Sequence, residues 1–150
     1  MVRFEIETEI SRSLEVVYKA FVRPENLPKY TLHLEKFDTT GARFGEVGAV
    51  AYLHYNQNGK KSVMQDKLLY LEEKKIIISE VSGEGIRAKV ETLFHKRGEH
   101  TVMVMRWEGR GTLFLSRLFL PIFRKKIIAQ AQKELEKFRE LVEKYGEIFE

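Results

Sequence analysis

An aspartate placed among apolar neighbours has the clearest chemical consequence in this chain. Asp66 lies in the run Lys60-Lys61-Ser62-Val63-Met64-Gln65-Asp66-Lys67-Leu68, which follows Asn58-Gly59. Asn-Gly is a strong signal for a two-residue hairpin loop, because both central residues of that turn take positive φ. Pairing Gln57 with Lys60 then sets Tyr55 opposite Ser62, Leu53 opposite Met64, Ala51 opposite Asp66 and Ala49 opposite Leu68. The alternate face carries Asn56 with Lys61, His54 with Val63, Tyr52 with Gln65 and Val50 with Lys67, and its lysines mark it as the solvent face. Asp66 and Tyr55 are therefore expected inside. An ionised, unpaired carboxylate is costly there, so Asp66 must be paired, hydrated in a cavity, or protonated. In a cavity it can orient a ligand hydroxyl or act as a base with a raised pKa; at the sheet rim it would simply meet water. Tyr55 can donate a hydrogen bond to a ligand carbonyl, or hold its hydroxyl in water at the core edge.

The remaining chemistry-bearing residues do not assemble into a motif. His33, His54, His95 and His100 lack metal-ligand spacing, Gly83-Glu84-Gly85 reads as a connection between strands, and no nucleophile stands beside a base in the order of a known catalytic motif. Neither a metal nor a cofactor is expected. The absence of Cys excludes thiolate catalysis, Cys-ligated zinc or iron–sulfur sites and a disulfide scaffold. Lys and Arg number 26 against 22 Asp and Glu, and they interleave, so the net charge of +4 describes a solvated surface and no nucleic-acid face. One local excess stands out, Arg124-Lys125-Lys126 directly after Leu118-Phe119-Leu120-Pro121-Ile122-Phe123. It suits transient contact of 118–126 with an anionic membrane surface, a hold on a ligand carboxylate at a cavity mouth, or a plain helix start with solvated basic side chains.

The elements that would position these groups follow from periodicity. Val2–Ile10 alternates, with Phe4, Ile6, Thr8 and Ile10 on one face and Arg3, Glu5, Glu7 and Glu9 on the other. Ser13 can cap a helix whose Leu14, Val17, Tyr18 and Phe21 share a face, and Pro24 suits the first turn of a second helix through Tyr30 that Pro28 keeps short. Around Arg97-Gly98, pairing His95 with His100 sets Phe94 by Thr101, Thr92 by Met103, Val90 by Met105 and Ala88 by Trp107, with Lys89 by Arg106 and Arg87 by Glu108 outside. Met103, Met105 and Trp107 then form a soft apolar surface, readable as a cavity lining or as solid core. Residues 76–82 make another strand of unsettled inward parity.

Residues 112–145 form one long helical pattern, in which Pro121 sits at a bend or marks where the regular helix begins. Ile127, Ala131, Leu135, Phe138, Val142 and Tyr145 mark its apolar stripe, while Lys133, Glu134, Glu136, Lys137, Arg139, Glu140, Glu143 and Lys144 fill the solvent side. The preceding 113–123 is apolar nearly all the way round, more than one sheet contact buries. At 150 residues the chain fits a single domain, 1–150. It shows no signal-peptide pattern and no apolar run near the ~18 residues of a membrane span, which points to the cytoplasm.

Strand, two helices, about six antiparallel strands and a long terminal helix is the order of the helix-grip fold, and the chain resembles the START-like or SRPBCC superfamily of polyketide cyclase/dehydrase and lipid-transport proteins. The resemblance rests on Phe4-Glu5-Ile6-Glu7-Thr8-Glu9-Ile10-Ser11-Arg12-Ser13 with the helix after it, Arg23-Pro24-Glu25-Asn26-Leu27-Pro28-Lys29-Tyr30, residues 41–48, and the 118–126 entry to the last helix. It implies an α+β fold in which a curved antiparallel sheet of about seven strands grips the last helix over a cavity for a hydrophobic ligand. The implied lining is Tyr55, Met64, Asp66, Met103, Met105 and Trp107 from the sheet and Leu120, Phe123, Ile127 and Ala131 from the helix. The superfamily has no universal catalytic motif, so fold does not give an enzyme class.

Three functions are compatible with these observations. The leading expectation is binding of a small hydrophobic molecule, such as a lipid, isoprenoid or polyketide-like ring, as carrier or sequestering protein. The second is a cyclase/dehydrase-like enzyme using Asp66 and Tyr55. The third is a protein-interaction module in which 113–123 packs a partner, and both monomer and dimer remain open.

Overall fold

The computed structural model describes residues 1–39 and 46–150; of the 41–48 stretch, 41–45 lie outside the described residues. The opening alternation forms strand β1 (Val2–Ile10), with Val2, Ile6, Thr8 and Ile10 buried. The Ser13 hydroxyl accepts from the Val16 amide at 3.4 Å and starts helix α1 (Leu14–Val22), which buries Val17, Tyr18 and Ala20. A 3₁₀ turn, Pro24–Asn26, leads into the single-turn α2 (Leu27–Tyr30), with Pro28 in its first turn where a missing amide does no harm.

Six strands follow: β2 (Leu34–Thr39), β3 (Val50–Gln57), β4 (Lys60–Glu72), β5 (Ile76–Gly83), β6 (Ile86–Arg97) and β7 (His100–Gly111). They form one curved sheet in the order β1-β7-β6-β5-β4-β3-β2, antiparallel throughout. The two helices thus carry the chain from one edge of the sheet to the other.

The two hairpins with readable turns behave differently. Asn58 and Gly59 both take positive φ (54° and 88°), and Gln57 pairs with Lys60, Leu53 with Met64 and Ala51 with Asp66, as expected. At the other hairpin Arg97, not His95, pairs with His100, so Phe94 meets Met103, Thr92 meets Met105 and Val90 meets Trp107. Gly98, at φ 63°, opens a two-residue loop, where the pairing expected from sequence implies a four-residue one. The slip is two residues, so every side chain keeps its face while its partner changes. Outside, Lys89 now faces Glu108, Glu91 faces Arg106, and Arg87 faces Arg110.

The parity of β5 is also defined: Ile77, Ser79 and Val81 pair across the inner face with Leu71, Leu68 and Asp66. A bulge between Leu68 and Tyr70 makes this possible by moving the inward position from even to odd residues.

The 112–145 pattern is not one continuous helix. It breaks into α3 (Phe114–Phe119), a 3₁₀ turn Leu120–Phe123 containing Pro121, and α4 (Arg124–Tyr145). Proline lacks the amide a continuing helix would use, so the axis resets there. Beyond it α4 lies across the concave face, burying Leu135, Phe138 and Val142 against a core that includes Ile6, Ile10, Phe94 and Met103. Its polar side is pinned to β1, with Thr8 donating to Glu136 at 3.0 Å and the Ser11 amide donating to Glu143 at 2.9 Å. After Gly146 the chain turns back, and Phe149 is buried against Phe138 and Tyr30 at centroid distances of 5.8 and 6.3 Å. Among the described residues, no helix is long and apolar enough to cross a membrane.

Candidate functional site

The sheet and the α1–α2 pair leave between them a cavity of about 120 Å³. Phe21 and Val22 of α1, Leu27 and Tyr30 of α2, and Ala51, Leu53, Asp66, Leu68, Leu71, Ile77 and Ser79 of the sheet line it. Its place follows from side-chain size. On the inner face Ala51 of β3 stands beside Asp66, and Ser79 of β5 stands beside Leu68, so small residues face α1 and α2 where larger ones would close the gap. The volume is below that of typical small-molecule pockets and near that of a cavity known to admit one benzene-sized ring.

Asp66 is the acidic group in this apolar wall, and burial raises its pKa to about 6. Among the described residues no cation offsets that desolvation. A second carboxyl belongs to the same neighbourhood. Glu134 of α4 is raised by burial to about 7, against hydrogen bonds from the Leu32 backbone and the Gln130 side chain that favour its ionised form. Tyr30 and Tyr55 are linked to both acids: their hydroxyls are raised first by burial and then by the charges of Glu134 and Asp66. Two carboxyls and two phenols thus share one desolvated region.

Glu134 corrects the sequence reading, which put it on the solvent side of the helix. It is half-buried because it follows Ala131 by three and precedes Phe138 by four, a spacing that sets all three on one stripe facing the sheet. That spacing was the available signal.

The other expected site residues are distributed along the inner face. Tyr55 is half-buried there, two residues from Leu53. Met64 is half-buried, its sulfur packed on Gly83 of β5. Met103 is fully buried in the main core, and Met105 and Ala131 pack on that core. Trp107 stacks on Phe4 at a centroid distance of 5.3 Å and covers Gly109, its ring standing where a side chain at 109 would be. Leu120 is buried and Ile127 half-buried, whereas Phe123 points mostly to solvent. Asp66 is the one of the ten that lines the cavity described above. Arg124, Lys125 and Lys126 lie at least eight residues before Glu134 on α4, about 12 Å along the axis.

Values of about 6 and about 7 let the acids exchange a proton near neutrality. Among the described residues no cluster of three or more His, Asp or Glu is placed to hold a metal. His54 pairs with Asp38 at 2.8 Å and His100 with Glu9 at 3.2 Å.

No protein-family model matches the chain, and no curated protein matches it by sequence. Solved structures do match its fold. A START superfamily protein from Mycobacterium smegmatis superposes with a TM-score of 0.73 at 14% identity, covering 93% of this chain and 98% of that one. The major latex-like protein 151 of Panax ginseng gives 0.72 at 14% identity, covering 92% and 95%. A Chromobacterium violaceum protein gives 0.74 at 18% identity, covering 94% and 96%. Identities this low speak to architecture alone. With its strand order, its α1–α2 crossover and its gripped terminal helix, the chain has the START-type helix-grip fold.

Proposed function

We propose that residues 1–150 act as one cytoplasmic unit that binds a small, mostly apolar molecule carrying a hydrogen-bond donor, as carrier or sequestering protein. The observation that carries this reading is the cavity between α1–α2 and the sheet, whose lining among the described residues is apolar except for Asp66, Tyr30 and Ser79. A lipid, isoprenoid or polyketide-like ligand would insert one ring or chain end there, its hydroxyl or amine meeting Asp66. Native mass spectrometry of freshly purified protein, followed by solvent extraction, tests it. A stoichiometric apolar adduct that is lost in Ala51→Phe, which fills the cavity, is the expected result. An adduct retained at full occupancy in that variant would remove this cavity from the argument.

A second reading, general acid–base catalysis on the bound molecule, is favoured by Asp66 and Glu134 having values near neutrality. Tyr55 would orient the substrate. Asp66→Asn separates the two readings. Binding intact with turnover of the extracted compound lost supports catalysis, and binding intact with no turnover in the parent protein supports the carrier.

A further inference from the structure

We propose that α3 and the 3₁₀ turn after it form a docking platform for an anionic lipid surface. The apolar residues of this segment point outward: Leu113, Phe114, Leu115, Leu118, Ile122 and Phe123 are each between 51% and 79% exposed. Six large apolar side chains within eleven consecutive positions are far more than a scatter of surface hydrophobes.

The display is held rigidly. The Thr112 amide donates to the Gly85 carbonyl at 2.8 Å, and Ser116 closes the first turn through the Leu113 amide and carbonyl at 3.0 and 2.9 Å. A side chain at Gly111 would strike the backbone of Ser116 and Arg117, so α3 sits directly on the end of β7. Leu120, buried, anchors the far end. The exposed side chains are therefore presented by a fixed scaffold.

Charge selects the occupant. From Gly109 to Lys133 the chain contains no Asp or Glu, while Arg117, Arg124, Lys125 and Lys126 stand exposed on or beside the apolar segment. Among the described residues none of these four is within ion-pair distance of a carboxylate: Arg117 and Arg124 donate to the carbonyls of Gly111 and Arg3. Glu84, in the turn beneath α3, offsets one charge at most. Apolar side chains among unpaired cations match the interface of an anionic bilayer, where the rings enter the acyl boundary and the basic groups meet phosphates and carboxylates. A second copy of the chain matches poorly, because a two-fold contact would set the same cations against themselves.

Flotation of the full chain with phosphatidylcholine vesicles, with and without 30% phosphatidylserine, tests the platform. The protein should float with the anionic vesicles and lose most binding at high salt. Lys125→Gln with Lys126→Gln should weaken partitioning about 25-fold, taking about fivefold per basic group at the surface. Phe114→Ser with Leu115→Ser, both exposed, should abolish binding with an unchanged melting curve. Failure to float with anionic vesicles at low salt would overturn the proposal, as would equal binding to both vesicle types. So would a dimer by light scattering that becomes monomeric in the Phe114→Ser, Leu115→Ser variant, which would give the surface to a second copy.

Discussion

The backbone amide of Phe149 donates a 3.0 Å hydrogen bond to the side-chain oxygen of Asn26, 123 residues earlier. The same side chain gives its two amide protons to the carbonyls of Ala20 at 3.0 Å and Glu147 at 2.8 Å, and it is 1% exposed. One buried amide thus ties the tail after α4 to the α1–α2 crossover. Asn26→Ala leaves one donor and two acceptors without partners and should destabilise the fold by about 3 kcal/mol in urea unfolding. A loss below about 0.5 kcal/mol would mean that water replaces the side chain without strain.

The two buried acids give stability a defined pH dependence. Asp66 titrates at 3.8 ordinarily and at about 6 here, so across that interval the folded state holds more proton than the unfolded one and stability falls as pH rises. Glu134 adds a fall of the same sign between 4.5 and about 7. The contribution is most favourable below 3.8 and flat above about 7. Either Asp66→Asn or Glu134→Gln should stabilise by about 2 kcal/mol at pH 8 and leave stability at pH 3.5 nearly unchanged. An equal gain at both values would trace the effect to something other than ionisation.

Trp107 is the protein's only tryptophan, and its ring covers Gly109. Gly109→Ala should push the indole off Gly109 and out of its stack on Phe4. We expect a loss of about 1–3 kcal/mol and a shifted emission maximum. Unchanged emission would show that the strand moves instead of the ring.

Gly59 holds φ 88° in the β3–β4 turn with open space around it. Gly59→Ala therefore meets backbone strain and no steric contact, and should lower stability by about 1 kcal/mol without altering the fold, measured by thermal melting. A larger loss would point to a change of register.

Legibility from sequence tracked how tightly local chemistry restricts geometry. Asn58-Gly59 admits essentially one loop, so the pairing of Ala51 with Asp66 was readable to the residue. Arg97-Gly98 admits more than one, and the assigned pairing was two residues off although its faces were right. The parity of β5 was hidden by the bulge at Leu69, which no composition signal marks. Glu134 was missed because a charged residue between Lys133 and Leu135 looks solvated until its neighbours one turn away are weighed. The cavity's position depends on which small residues, Ala51 and Ser79, happen to face α1 and α2, a matter of three-dimensional volume that periodicity does not encode.

The strand order has a consequence for synthesis. Residues 2–10 leave the ribosome before the other strands yet pair with residues 101–109, so β1 must wait for almost the whole sheet to be translated. Until then Ile6 and Ile10 have no β7 beside them and no α4 above them. The alternating Arg3, Glu5, Glu7 and Glu9 keep that waiting segment charged on every second residue, which discourages it from pairing with another nascent copy.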